Sequence, residues 1–535
     1  MVTEQALAPA PVTSRRWRPT PVGVALALAV AGVGYRLAVL LAQAPPTNSD
    51  EATTGLVALH MSQGREFPLF FYGQHYMGAL ESYLATPLFL LAGPSVLAVR
   101  LPNLLLYTAF LALMWRLTSR LYSPWLAAFT VGLLALGSDR ILKNQLVAGG
   151  GYPEMNPAGA LLMLLAVNLG LGVVRRRTAA YAVFGLVAGL TLWDDWLVLP
   201  YVGAAGLLLL VTGWRELRGR PGAALAAGLV VGLVPIVVHN LTAAPEHRSL
   251  AVYANLSGGV DASWPDRLFG GVLFGLPMGT GLCDPGRCAP WQLLWGVPAP
   301  VLLVVAGVLA WRGLRRAPAG AGYAGPGPRW IVPAGRLALV VAAALTLLAY
   351  ASSGAAGSTP VESARYLSCL LISLPALLWP LWTLAARGRW RVAGRVTLAA
   401  LAATMVAATA ALVAHLPAYG RQADARAELI AALDERGITR FYGGYWTCLP
   451  ITLATRERIV CAVIDDDLRP GWDRYGPHRD LVAAAPDPAY VLPAGGPASR
   501  AVGAAIAAAG VPSTITTVAG HDIHQPAGRV GLPRR

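Results

Sequence analysis

Lysine is almost missing from this chain: of its 42 basic residues, 41 are arginine and only Lys143 is lysine. Charge of either sign is scarce too, with 13% Asp, Glu, Lys and Arg where a soluble globular protein carries about 25%. That shortage excludes an ordinary soluble globule, whose folded surface needs charge to stay in water. Cysteine is also rare, and none of the five has the spacing of a zinc site. A net charge of +15 would suit nucleic acid. No continuous basic patch exists, however. The arginines sit in short clusters between apolar runs, which is how orientation signals of membrane proteins are arranged. Internal repeats and low-complexity tracts are absent.

What is present is apolar sequence. Hydrophobic residues make up 56% of the chain, and the mean hydropathy is +0.54. Eleven runs stand out, near 21–42, 103–119, 124–137, 157–174, 179–193, 196–212, 222–239, 291–311, 335–351, 366–385 and 394–415. Each has about the length that crosses a bilayer, the shorter ones with some interfacial extension. Twenty arginines, from Arg15 to Arg395, fall on alternate short loops, which the positive-inside rule places in the cytoplasm. Thirteen of the 15 acids before residue 416 fall on the other set of loops or at the helix ends beside them. The expected fold class is therefore a polytopic α-helical membrane protein of about eleven transmembrane helices. Its parts are a cytoplasmic tail 1–20, a membrane domain 21–415 with a long first outer loop 43–102, and an extracytoplasmic domain 416–535. The first run ends in Ala42-Gln43-Ala44 and mimics a signal peptide, but it exceeds the usual hydrophobic core, so it is expected to stay as the first span.

From residue 416 the composition becomes that of a soluble domain, with 13 arginines and 12 acids. The pattern predicts an amphipathic helix over 422–436 ending at Gly437. Strands follow at 438–446, 458–464, 489–493 and 513–519, with a helix at 498–509. This is a small α/β domain. The Pro- and Gly-rich stretch 317–335 reads as a flexible cytoplasmic loop.

The most informative segment is Asn48-Ser49-Asp50-Glu51-Ala52, directly after the first run, continuing through Tyr72-Gly73-Gln74-His75-Tyr76-Met77-Gly78-Ala79-Leu80-Glu81. An Asp-Glu pair just outside the first helix, opening a long outer loop, resembles the GT-C glycosyltransferases. The likeness is greatest to the protein O-mannosyltransferase and aminoarabinose transferase group, the family 39-like enzymes. It covers the first seven spans best, and Ala364-Arg365-Tyr366-Leu367 is similar to a later element of the group. The resemblance implies two short helices on the membrane surface, here 51–63 and 78–92. It also implies transfer of a sugar from a polyprenyl-phosphate donor to a glycan, lipid or protein acceptor outside the cytoplasmic membrane.

Such chemistry needs a carboxylate to take the acceptor proton and a cation to neutralise the leaving lipid phosphate. Attack opposite the leaving group inverts the anomeric centre. Asp50 is the candidate base; its bland alternative is a helix N-cap. Glu51 either orients the acceptor or Asp50, or complements the helix dipole. A second acid is expected from Asp139 or Glu154, and Asp194 with Asp195 are expected to line the cavity. Arg365, Lys143 and Arg36 are the candidate phosphate-binding cations, each with a plain interfacial alternative. His75, Tyr76 and Glu81 are candidates for substrate contact. Two adjacent acids are weak evidence for a divalent cation, and the resembling enzymes work without one, so no metal or cofactor is expected. Cys283 and Cys288, on one outer loop, are expected to form a disulfide, as are Cys448 and Cys461; Cys369 reads as a small apolar residue. The rival reading is a transporter or flippase of a lipid-linked saccharide. It would call for ionisable residues at mid-membrane and inverted repeats, which this sequence lacks. Nucleic acid is not an expected partner; membrane lipid is.

Overall fold

A computed structural model of the chain describes residues 19–257, 261–317, 321–322, 325–326 and 328–531. The basic tail with Arg15, Arg16 and Arg18, and part of the loop 317–335, lie outside the described residues.

Every apolar run forms a helix. The first, α1 (Pro21–Leu41), starts where the Thr20 side chain accepts the Gly23 N–H, with Pro21 preset for the first turn. Two short helices follow, α2 (Ser49–Ser62) and α3 (Leu80–Ala92), before α4 (Val96–Leu121). α5 (Pro124–Ala135) stops short, and the chain bends by 92° into α6 (Asp139–Leu146). The bend has a local cause. The sequence after Gly137 turns polar and cannot continue into hydrocarbon, and the carbonyls it frees need donors. Arg36 supplies them: its guanidinium donates to the carbonyls of Leu134, Ala135 and Leu136 and to the Gln145 side chain.

α7 (Tyr152–Gly170) packs between α4 and α9 (Leu199–Gly213), while α8 (Arg177–Asp194) packs against α10 (Arg220–Thr242). The α8–α10 pair is held by glycine. A Cβ at Gly228 would lie 2.1 Å from the Ala182 carbonyl oxygen, so only a hydrogen there lets the backbones touch, as small residues do in membrane helix pairs. The bundle continues with α11 (Pro298–Arg316), α12 (Pro328–Ser352), α13 (Leu374–Ala386) and α14 (Arg391–Glu435).

Among the described residues, eight helical segments are long and apolar enough to cross a membrane, and the bent α5–α6 pair would make a ninth. α7 and α8, with 19 and 18 residues, do not meet that test alone. α7 is mostly buried in the bundle and opens on Tyr152, Pro153, Glu154 and Asn156, so it needs no apolar outer face. Together these helices account for all eleven runs. The chain is a polytopic α-helical membrane protein with a small terminal α/β domain.

The expected separate helix over 422–436 is instead the end of α14, a continuous 45-residue helix with Pro417 inside it. Proline costs one N–H but need not stop a helix whose neighbours pack; Leu412 and Tyr419 are both buried in the main core. The strands are β1 (Arg440–Gly443), β2 (Val460–Val463), β3 (Ala489–Pro493), β4 (Ser513–Val518) and β5 (His521–Pro526). Their order is β2-β1-β3-β5-β4, parallel in the first three and antiparallel at the β4–β5 hairpin. α15 (Tyr445–Ala454), α16 (Gly476–Ala484) and α17 (Pro497–Ala508) complete the domain.

This domain sits on the first outer loop. Leu449 and Leu453 of α15 share one apolar cluster with Leu56 and Leu59 of α2 and Phe89 of α3. Glu457 is bonded to His60 of α2 at 2.8 Å and to His478 at 2.7 Å, and it also pairs with Arg65.

Candidate active site

Asp50 lies in the first turn of α2 but does not cap it. Asn48 is the cap, its side chain accepting the Glu51 N–H at 2.9 Å. The Asp50 carboxylate has one oxygen, Oδ1, engaged by two donors from the terminal domain: Tyr445 Oη at 2.7 Å and Arg474 Nη2 at 2.6 Å. Arg474 Nε donates in turn to Tyr445 Oη at 2.7 Å. Sequence reading missed both residues, and no local signal marks them, because they lie 395 and 424 positions from Asp50.

Glu51 points the other way. It is fully buried and takes two bonds of 2.6 Å from Arg100, which also donates to the carbonyls of Ala44 and Pro45. This forked ion pair ties α2 to α4 and leaves Glu51 without a free oxygen for substrate.

The Gly149-Gly150-Gly151 loop runs between Asp50 and the Asp194–Asp195 pair. A Cβ at Gly149 would lie 3.5 Å from Asp50 Cβ, and one at Gly151 would lie 2.8 Å from Asp195 Cβ. Gly150 and Gly151 have φ of 100° and 89°, so both space and backbone conformation require glycine there. Glu81 anchors the loop, with Oε2 accepting the Gly149 and Gly150 N–H groups at 3.0 and 2.8 Å.

Behind the loop lies a pocket of acids. Both Glu154 oxygens and Asp194 Oδ1 are buried with no hydrogen-bond partner among the described residues, while Asp195 Oδ1 accepts the Leu197 N–H. Burial pushes the Glu81 carboxyl up to about 7 against the loop N–H groups that lower it, and pushes Asp195 up to about 7 as well. Among the described residues, no group of three or more His, Cys, Asp or Glu is arranged to hold a metal ion.

The cations divide. Arg365 stands 5.3 Å from the Tyr152 ring centroid and 5.7 Å from that of Tyr366, with its buried Nε unpartnered and its charge acting on Asp50 and Asp195. The Tyr76 hydroxyl, which accepts from Gln74 at 2.8 Å, lies within electrostatic reach of Arg365, Arg474 and Asp195. Arg140, hidden in the sequence as one more arginine, lies near Arg365; its Nε is buried and unpartnered. Lys143 is instead paired with Asp139 at 2.7 Å, and Asp139 also accepts from Tyr419 at 2.6 Å. Arg36, expected among the phosphate-binding cations, is fully buried, with its guanidinium committed to the carbonyls freed at the α5 bend and to Gln145. His75 is stacked with His247 and His239, at centroid separations of 4.3 and 5.3 Å. The structure joins Cys283 to Cys288 and Cys448 to Cys461, and leaves Cys369 buried and free. Between α5, α11, α13 and α14, an apolar cavity of about 90 Å³ is lined by Leu133, Leu134, Leu276, Leu378, Leu401 and Met405, among others.

The chain is similar in structure to ArnT from Cupriavidus metallidurans bound to undecaprenyl phosphate. Identity is 13%, 94% of this chain and 97% of the other are covered, and the TM-score is 0.58. ArnT in the apo state gives 16% identity, the same coverages and a TM-score of 0.54. The fold is that of the GT-C glycosyltransferases. The Archaeoglobus fulgidus oligosaccharyltransferase in complex with Zn and sulfate matches at 11% identity and a TM-score of 0.50, covering 95% of this chain and 72% of that one. No protein-family model and no curated protein sequence matches the chain. Within this GT-C fold, the first outer loop, the glycine loop and the terminal domain converge on Asp50.

Proposed function

We propose that the chain transfers a sugar from a polyprenyl-phosphate donor to an acceptor hydroxyl at the outer face of the cytoplasmic membrane, with Asp50 as general base. The observation that carries this reading is the juxtaposition at Asp50. One oxygen is held by protein donors while Oδ2 has no partner among the described residues, and the half-buried Arg365 stands within its field with its buried Nε unpartnered among them. A buried, unsatisfied guanidinium N–H calls for an anion. The apolar cavity beside α5 suits part of an isoprenoid chain, and ArnT, which shares the fold, has been crystallised with undecaprenyl phosphate.

In this scheme the acceptor oxygen attacks the anomeric carbon and passes its proton to Asp50 Oδ2. The bond from the anomeric carbon to the phosphate oxygen breaks with its electron pair, and Arg365, with Arg140 nearby, stabilises the departing lipid phosphate. A single displacement inverts the anomeric configuration. Glu154 and Asp194, whose buried oxygens lack partners among the described residues, would accept hydrogen bonds from sugar hydroxyls.

The test pairs two variants in full-length protein. Asp50→Asn keeps shape and hydrogen bonding but cannot take a proton, so transfer from undecaprenyl-phosphate sugars should fall by about 10²–10⁴-fold, with undecaprenyl phosphate binding retained. Arg365→Ala should lose affinity for undecaprenyl phosphate along with turnover. Near-normal transfer by Asp50→Asn would move the base role to Glu154. Translocation of a lipid-linked saccharide with no glycoside formed by any variant would favour the flippase reading.

A further inference from the structure

We infer that Arg474, together with Tyr445, is a positioning residue for Asp50, so that the terminal domain supplies part of the active site. This rests on the transfer reading above. The geometry is specific. Both donors take the same oxygen, Asp50 Oδ1, and bond to each other, which fixes the carboxylate and leaves Oδ2 without a partner among the described residues. Arg474 is nearly buried at 4% exposed, whereas Asp50 keeps 22%. The carboxylate is thus gripped at one oxygen and keeps part of its surface exposed.

Arg474 is itself held firmly. Its guanidinium lies 3.9 Å from the Trp472 ring centroid and 4.9 Å from that of Phe71, on the first outer loop. The preceding Asp473 accepts the Val463 N–H at 2.8 Å and pairs with Arg479, locking the segment to β2. The turn at Gly73 closes on it from the other domain; a Cβ there would lie 3.4 Å from Trp472 Nε1 and 3.6 Å from Arg474 Cα. A rigid support of this kind is what a reacting carboxylate needs, since small misplacements of a catalytic group cost large factors in rate.

A plain bolt between domains would not need this target. The bolt exists elsewhere, in the Glu457 cluster with His60, His478 and Arg65 and in the apolar contacts of Leu449 and Leu453. Arg474 adds to these a charge-assisted contact to Asp50 itself.

The experiment uses the full chain in lipid nanodiscs, with undecaprenyl-phosphate-linked hexoses and pentoses as donors and water as acceptor, reading free sugar release. Arg474→Gln should lower kcat by about 10- to 100-fold with little change in KM, the usual effect of losing a charge-assisted contact that acts through another residue. Arg474→Lys should recover part of the loss. Tyr445→Phe removes one hydroxyl and keeps the ring, so it decides the matter should Arg474→Gln fail to fold; its loss should be smaller but of the same kind. In an Asp50→Asn background neither change should cost anything more, because both act through the carboxylate. Turnover equal to the parent's, a rise in KM alone, or full losses repeated in the Asp50→Asn background would each overturn the proposal. Should the parent protein release no sugar from any donor while still binding undecaprenyl phosphate, the transfer reading falls first and takes this one with it.

Discussion

Two buried acids of the first outer loop meet burial in different ways. Glu51 is paired with Arg100 through two short bonds, so its charge is compensated on the spot. Glu81 has backbone N–H groups but no cation, and burial raises its carboxyl from 4.5 to about 7. The consequence for stability has a definite sign. Between pH values of about 4.5 and 7 the folded chain holds a proton on Glu81 that the unfolded chain has already released. Stability therefore falls as pH rises through that window, and the contribution is complete only below it. Asp195, also pushed up to about 7, acts in the same direction. We expect thermal midpoints in nanodiscs to drop between about pH 5 and pH 7, and Glu81→Gln to make that slope shallower. An unchanged slope would show that Glu81 does not titrate in this range.

At the scale of elements, the eleven runs were legible because a bilayer demands long apolar stretches, and the two loop helices were legible through the family likeness. The bend after Ala135 was legible only in part: polar sequence after Gly137 ends the apolar run, but the donor for the freed carbonyls, Arg36, lies about a hundred positions away. β5 escaped notice because His521-Asp522-Ile523-His524 is polar for a strand; its two-residue turn, Ala519-Gly520, has positive φ at both positions and was the available signal. Within the site, the acids were readable from their position at loop ends, but their partners were not. Asp50 could be singled out, whereas Tyr445 and Arg474 reach it only through the folding of the terminal domain. The glycine loop carries a testable consequence of its own. Gly151→Ala would force a side chain onto a backbone with φ of 89° and place its Cβ 2.8 Å from Asp195 Cβ. Strain of this kind costs on the order of 1–3 kcal/mol, and it falls between Asp50 and the acid pocket. Transfer should drop by at least about tenfold while the protein still assembles in the membrane, which gel filtration and an activity assay would show together.

At the scale of the whole molecule, the terminal domain packs on the loop 43–102 and reaches Asp50. Twenty arginines on alternate loops predict, by the positive-inside rule, a cytoplasmic α9–α10 connection with Gly219. The terminal domain is then expected outside, together with the loop 43–102. The cysteine complement makes this measurable without a cysteine-free background. Four of the five cysteines are in disulfides and Cys369 is buried, so a single introduced thiol is the reactive one. A membrane-impermeant maleimide added to intact cells should label Ser513→Cys and Glu246→Cys, both at exposed positions, and should leave Gly219→Cys untouched until the membrane is permeabilised. Labelling of Gly219→Cys in intact cells would invert the orientation. It would put Asp50 and the terminal domain on the cytoplasmic side, where a donor presented at the outer face could not reach them.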